Sequence, residues 1–381
     1  MDVTPLRALL DDLPRADVAA TTAVRERVDD ILRPRGALRR LDEVAVWLAG
    51  WQATTTPAVR APVGVLFAAD HGVAVAAHPP SATPDADDAD HQTPEPGAGA
   101  PEPDPAMAPE TPADGPVSAY PPEVTAAMLE AARQRRTTFH ALAAVAGADV
   151  VAVDVGVGRP TGDIRHDAAL DHDRFDQVVA VATATVDGLD ADLLVLGEMG
   201  IGNTTVAAAL VHACLGGQAS DWVGRGTGVD DAGLARKRAA VQQAATRVAA
   251  IEDPMDPLEL LRQVGGAELV AMAAAIMVAR HRRIPVVLDG YVVAAAALPL
   301  ALVEPTALDH CIAGHVSAEP GHRRLLDALS GLAGSSVQAD PLLDLDLRLG
   351  EGSGAMAAVP LVAMACRAVT DVPTFTEWFA Q

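Results

Sequence analysis

Aromatic residues are scarce: Phe, Tyr and Trp make up 3% of the 381 residues, although half of the chain is hydrophobic. A core with so few large rings has to be assembled from Ala, Val and Leu, which favours helices packed closely on a sheet. Cysteine is scarcer still. Cys214, Cys311 and Cys366 are scattered and form no CxxC, which argues against a disulfide framework and against a cysteine zinc site. Positive charge is also short, with 28 Lys and Arg against 51 Asp and Glu, for a net charge of −23 and a pI near 4.7. Such a surface repels polyphosphate, so nucleic acid is not an expected partner. Any phosphate ligand must be held by local backbone dipoles and a few cations. No unbroken run of about 18 apolar residues suggests a membrane span. The first 18 residues are amphipathic and acidic, unlike a signal peptide, so a soluble cytoplasmic protein is expected. The nucleotide fingerprints are missing too. Gly156 and Gly158 are followed by Thr161 where a GxGxxG needs glycine, Gly224, Gly226 and Gly228 are each two apart, and no GxxxxGK[ST] occurs. Dinucleotide dehydrogenases and P-loop kinases are thereby disfavoured.

What is present is an alternation of helical and strand-like segments. Leu6, Leu9, Leu10 and Leu13 fall at helical spacing, as do Leu38, Leu41, Val44 and Leu48, so residues 1–50 read as two or three helices. Residues 62–70 are an apolar run ending in Asp-His-Gly, a first buried strand. Residues 77–116 differ in kind, with eleven prolines, nine acidic residues and no Lys or Arg. That composition cannot bury enough apolar surface to offset its ordering entropy, and it reads as a disordered insertion, a solvated loop rather than a functional acidic tail. Order resumes near Tyr120, where Pro121 and Pro122 begin a helix running through Met128. Beyond it, the runs ADVVAVDVG, ADLLVLGEMG, RIPVVLDGY and HCIAGHVS are separated by Ala-rich helical segments. Uninterrupted apolar strands alternating with helices indicate a parallel sheet covered on both faces. The strands end in Asp70, Asp154, Glu198, Asp289, and His315 with Ser317, and ligands of doubly wound sheets bind at such carboxyl ends. One shared site is the expectation.

Four stretches carry the candidate chemistry. In LVLGEMGIGNTT, a strand ends at Gly197 and a loop with Gly200 and Gly202 leads to Asn203, Thr204 and Thr205 at the head of a helix. Strand, glycine loop, polar cap and helix together make an anion cradle, because first-turn N–H groups point at the ligand. Glu198 within it suits a sugar, a cation or a proton rather than the phosphate. GRGTGVDDAGLARKRAAV places Gly226 before a helix that carries Lys237; it reads as a second anion loop or as a plain loop with a surface lysine. In GHVSAEPGH, the spacing of His315, Glu319 and His322 matches no metal motif, which leaves a hydrogen-bonding loop and no metal. In LRLGEGSGA, Glu351 lies between two glycines just before a helix. It reads either as a partner of the helix dipole or as a general base raised by a dry pocket.

These stretches, with VGGAELVAMAAAIMVARHRRIPVVLDGYVVAAAAL, RPRGALRRLDEVAVWLA, FAADHGVAVA, VSAYPPEVTAAM and VVAVDVGV, resemble the nicotinate-nucleotide–dimethylbenzimidazole phosphoribosyltransferase family, in order and over nearly the whole chain apart from 77–116. The resemblance implies a Rossmann-like parallel sheet in a large α/β domain (51–344) and a small helical domain built from both chain ends (1–50 and 345–381), in a homodimer. It implies transfer of phosphoribose from nicotinate mononucleotide to 5,6-dimethylbenzimidazole, giving α-ribazole 5′-phosphate and nicotinate with inversion and without a cofactor. Glu351 falls on the family's general base. Glu198 through Thr205, Gly226 and Lys237 fall on the phosphate and ribose loops, and Ser118, Tyr120 and Leu349 fall on the base-binding loop. Asp289, His315 and Ser317 complete the expected substrate contacts. The segment 132–145, ARQRRTTFHALAAV, replaces a glycine-rich run usual in the family. A transfer to a different base, or a nucleotide-binding regulator without turnover, are the competing readings.

Overall fold

The computed structural model of the chain describes residues 3–75, 115–252 and 254–380. The expected insertion at 77–116 lies, but for its last two residues, outside the described residues. Strands β1 (Pro62–Ala69), β2 (Asp149–Gly156), β3 (Leu193–Met199), β4 (Val286–Leu288) and β5 (Cys311–Ala313) form one parallel sheet in the order β2-β1-β3-β4-β5. From β1 the chain steps outward to β2 and then returns to the other side for β3. The carboxyl ends of β1 and β3 are therefore the point where the winding reverses, the place where open α/β sheets bind ligands.

The strands are apolar throughout because both faces are covered. Side chains alternate across a strand, and β1 divides accordingly. Val63, Val65 and Phe67 join a core with the helices His172–Asp187, Asn203–Leu215, Ala267–His281 and Tyr291–Val303. Leu66 and Ala68 join a second core with Arg40–Gln52, Thr138–Ala146 and Ser353–Thr370. Helices from both chain ends thus share one face of the sheet. Ser353–Thr370 is long and apolar enough to cross a membrane by length and composition, and here it packs on Arg40–Gln52 and Thr138–Ala146. Small residues let these layers close up. A methyl on Gly64 of β1 would stand 2.4 Å from the Phe139 ring.

Several expectations are corrected. HCIAGHVS is two strands, not one: β5 ends in the main sheet, and β6 (His315–Ser317) pairs with β7 (Leu343–Leu347) in a separate two-stranded parallel sheet. Gly314 is the joint, packed so tightly that a Cβ there would lie 2.8 Å from Ala355 Cα. The first helix is only Thr4–Ala8, since Leu9 and Leu10 close a turn and Asp12 takes a φ of 51°. The helix after Tyr120 begins at Val124, one turn later than its prolines suggest. Strand β2 is an edge strand, only partly buried, with Asp154 exposed.

Candidate active site

At the carboxyl end of β3, a cavity of about 730 Å³ opens between the two glycine loops and the segment leading into the final helix. Its deepest wall is carboxylate. Glu198 accepts hydrogen bonds from the Asn203 side-chain amide and, at 3.4 Å, from the backbone N–H of Glu351. Glycine makes this packing possible, because a Cβ on Gly350 would lie 2.2 Å from Glu198 Oε1. Glu198 is buried, and burial together with the nearby charges of Asp289, Glu268 and Glu351 raises its pKa well above the ordinary carboxylate range. That shift favours the protonated form, which could donate to a ligand oxygen.

Glu351 sits beside it on a backbone held by its neighbours. Asp289 accepts from the N–H groups of Gly352 (3.2 Å) and Ala355 (2.8 Å), pinning the start of the final helix. Below, a Cβ on Gly197 would stand 2.6 Å from the Glu351 carbonyl oxygen, and one on Gly352 would stand 2.7 Å from the Phe139 ring. Within this clamp Glu351 adopts a φ of 62°, a left-handed conformation unusual for a side-chain-bearing residue and costly by about 1–3 kcal/mol. Burial, and secondarily Asp289, raises its pKa. A carboxylate strained, dried and poised at a cavity wall has the properties of a general base.

The second loop meets the first through Lys237. Its Nζ donates to Thr204 Oγ1 at 2.9 Å, although the two residues are 33 apart in the chain and two helices lie between the loops. The lysine is 2% exposed, and burial lowers its pKa against the opposing charge of Glu319. Gly226 (φ 56°) approaches the same point, and its N–H donates to Glu319 Oε1 at 2.8 Å. Lys237 is thus a buried link between the cradles rather than a surface lysine. The His322 ring supports this corner by accepting from the Ser317 N–H at 2.9 Å, so the GHVSAEPGH stretch works as a hydrogen-bonding loop. Among the described residues, no three His, Cys, Asp or Glu side chains are grouped to hold a metal ion.

Val124, Met128 and Leu349, with the half-exposed Tyr120, add apolar surface to the lining. Of the residues singled out in the sequence, Tyr120, Glu198, Gly200, Asn203, Thr204, Gly226, Ser317, Leu349 and Glu351 line the cavity. Gly202, Thr205, Lys237, Asp289 and His315 lie behind its surface. Gly202 gives the turn its φ of 95°, and His315 Nε2 stands 3.3 Å from Asp289 without a hydrogen bond. Ser118 lies off the wall and turns its own loop, its Oγ accepting from Tyr120 N–H at 3.1 Å. The shared site is also narrower than expected. Asp70 accepts from Gly158 N–H, and Asp154 accepts from Gly156 and Val157 N–H, so both serve the β2 edge. The sequence reading missed Arg225, Arg238 and Arg348, which bring cations to the cavity of an acidic chain, and Tyr291. The signal for Arg238 was its place directly after Lys237.

A family model described as phosphoribosyltransferase matches residues 13–89 and 112–378. The chain belongs to the phosphoribosyltransferase family. It is an enzyme, a pentosyltransferase. It is 40% identical to the nicotinate-nucleotide–dimethylbenzimidazole phosphoribosyltransferase of Methylocella silvestris, with 99% of this chain and 96% of that protein covered. The protein of the same name from Cereibacter sphaeroides is 39% identical, over 97% of this chain and 95% of its own length. Among solved structures, CobT from Thermus thermophilus superposes with a TM-score of 0.78 at 34% identity, covering 95% of this chain and 98% of that one. A second structure from that organism, of its nicotinate-nucleotide–dimethylbenzimidazole phosphoribosyltransferase, gives 0.77 at 33% identity, over 96% of this chain and 99% of that one. The α/β fold with its parallel sheet thus belongs to the family's common architecture.

Proposed function

We propose that this phosphoribosyltransferase moves phosphoribose from nicotinate mononucleotide to 5,6-dimethylbenzimidazole, in the assembly of the lower ligand of cobalamin. The observation that carries the reading is the buried Glu351 carboxylate, raised in pKa and held at φ 62° in the cavity lining. The phosphate is taken by the joined loops around Thr204, Gly226 and Lys237, where a cation and open backbone offset its charge. Glu198, fixed by Asn203, faces the ribose hydroxyls. The benzimidazole lies on Val124, Met128 and Leu349, its N–H toward Glu351.

One ring nitrogen then attacks C1′ with its lone pair as the C1′–pyridinium bond breaks. That bond pair returns to the pyridine nitrogen, giving nicotinate, and the proton on the second benzimidazole nitrogen passes to Glu351. A single displacement inverts the β-nucleotide to an α-riboside. The leaving group departs from a cationic ring, so no strong acid has to protonate it. The cavity accordingly needs a base but no nucleophile, which agrees with the side chains that line it. By the same family resemblance the working unit is a homodimer, which sedimentation would check.

Nicotinate release from the two substrates tests the reading. Glu351→Gln should lower turnover by about 10²–10⁴-fold, the usual worth of general-base catalysis, with nucleotide affinity little changed. Unchanged turnover would remove Glu351 from this role, and no nicotinate from the unaltered protein would remove the reaction.

A further inference from the structure

A second cavity, of about 1080 Å³, lies away from the one just described, between the N-terminal helices and the loop before β5. Its wall holds an unusual charge. Arg280 is 1% exposed, and its guanidinium lies over the Trp51 ring, 4.2 Å from the centroid. Its Nε and Nη1 are buried and have no hydrogen-bond partner among the described residues. Unpaired buried donors on a cation are costly and call for compensation.

Four of the five acids that line the cavity have partners of their own. Asp42 pairs with Arg33, Glu43 pairs with Arg40, Asp309 accepts from Ser336 N–H, and Glu304 accepts from the Thr306 N–H and hydroxyl, while Asp12 is exposed. At the rim, Arg15 and Arg25 are exposed and form no ion pair with described residues. The rest of the lining is mixed, with Thr21, Thr306, Ser336 and Gln338 beside an apolar part. Trp47 and Trp51 are fixed by indole N–H bonds to the Asp309 carbonyl, at 3.3 and 3.1 Å, with Leu13 and Val46 beside them.

We propose that this cavity binds a small planar aromatic carboxylate, its ring against the tryptophan wall and its anion on the Arg280 side. A guanidinium is weakly hydrated and suits carboxylate recognition in apolar surroundings. A monoanion fits better than a dianion, because Asp309 and Glu304 remain close by. The site is separate from the transfer reaction and does not depend on it.

Titration of the full chain with benzoate, read by tryptophan fluorescence, tests this. A saturable change is expected in the unaltered protein, persisting in saturating nicotinate mononucleotide. Arg280→Met should weaken it about tenfold or more, the size of one charge-assisted contact. Arg25→Ala, at an exposed rim position that folding does not need, should weaken it severalfold and keeps the test open should Arg280→Met not fold. Absence of a saturable signal, equal affinity in both variants, or displacement of benzoate by the mononucleotide would overturn the proposal.

Discussion

Glu351 concentrates the cost of the site in one residue. Its left-handed backbone and its buried carboxyl each oppose folding, and each is retained only because the clamp around it is rigid. Glu351→Gly removes both. We expect the variant to gain about 1 kcal/mol of stability in a thermal melt, since glycine accepts this φ without a Cβ clash, while losing turnover as fully as Glu351→Gln. A melt that falls would mean that the side chain, and not the strained backbone, dominates. The pH dependence follows from the same group. In its proposed role Glu351 acts when ionised, and its pKa lies above the ordinary value of 4.5, so kcat/KM should rise along an acid limb displaced upward from the usual carboxylate range. This carboxylate was visible in the sequence between its glycines. Its strain was not, because φ is set by Gly197, Phe139 and Asp289, which are remote in the chain and meet it only in the folded core.

Strand β3 shows what an element can and cannot reveal beforehand. Its apolar run and the glycine loop after it were legible, because burial on both faces removes polar residues and close approach removes side chains. The contact it makes was not. Gly197 reads as the end of a strand, yet its missing side chain is the space into which the Glu351 carbonyl settles. Gly197→Ala should therefore cost about 1–3 kcal/mol in chemical denaturation and also lower turnover by shifting Glu351, with nucleotide affinity less affected. Full turnover in that variant would show that the loop has freedom it does not use. The join of two loops by Lys237 was equally hidden, since local spacing cannot tell a lysine that faces solvent from one that spans to Thr204. The two-part run around Gly314 failed for a related reason: a close approach to Ala355 ends one strand and starts another without any polar break in the sequence.

Across the whole molecule, buried titratable groups pull stability in opposite directions. Burial drives His310 and His322 down to about 3 from an ordinary 6.5. Their folded pKa values are depressed, so the stability they contribute is present above 6.5 and is lost as pH falls toward 3. Glu198 and Glu351 behave in the reverse sense. Their folded values are raised, so their contribution is complete below the ordinary 4.5 and is lost as pH rises through the folded values. Urea midpoints should accordingly fall on the acid side from the histidines. On the neutral and alkaline side, Glu198→Gln should exceed the unaltered protein, by a margin that grows with pH. Identical pH profiles for the two would show that Glu198 does not change its charge across that range.

The clamp also fixes when this enzyme comes into being. The main sheet, the glycine cradle and Lys237 all lie before residue 314, whereas Glu351, its flanking glycines and the helix that seats them follow at 350–370. That late segment settles onto Gly197, Asp289 and the helix Arg40–Gln52, surfaces laid down long before. On the ribosome, which works from the N-terminus forward, the cradle is therefore laid down before the strap that carries Glu351 can close over it.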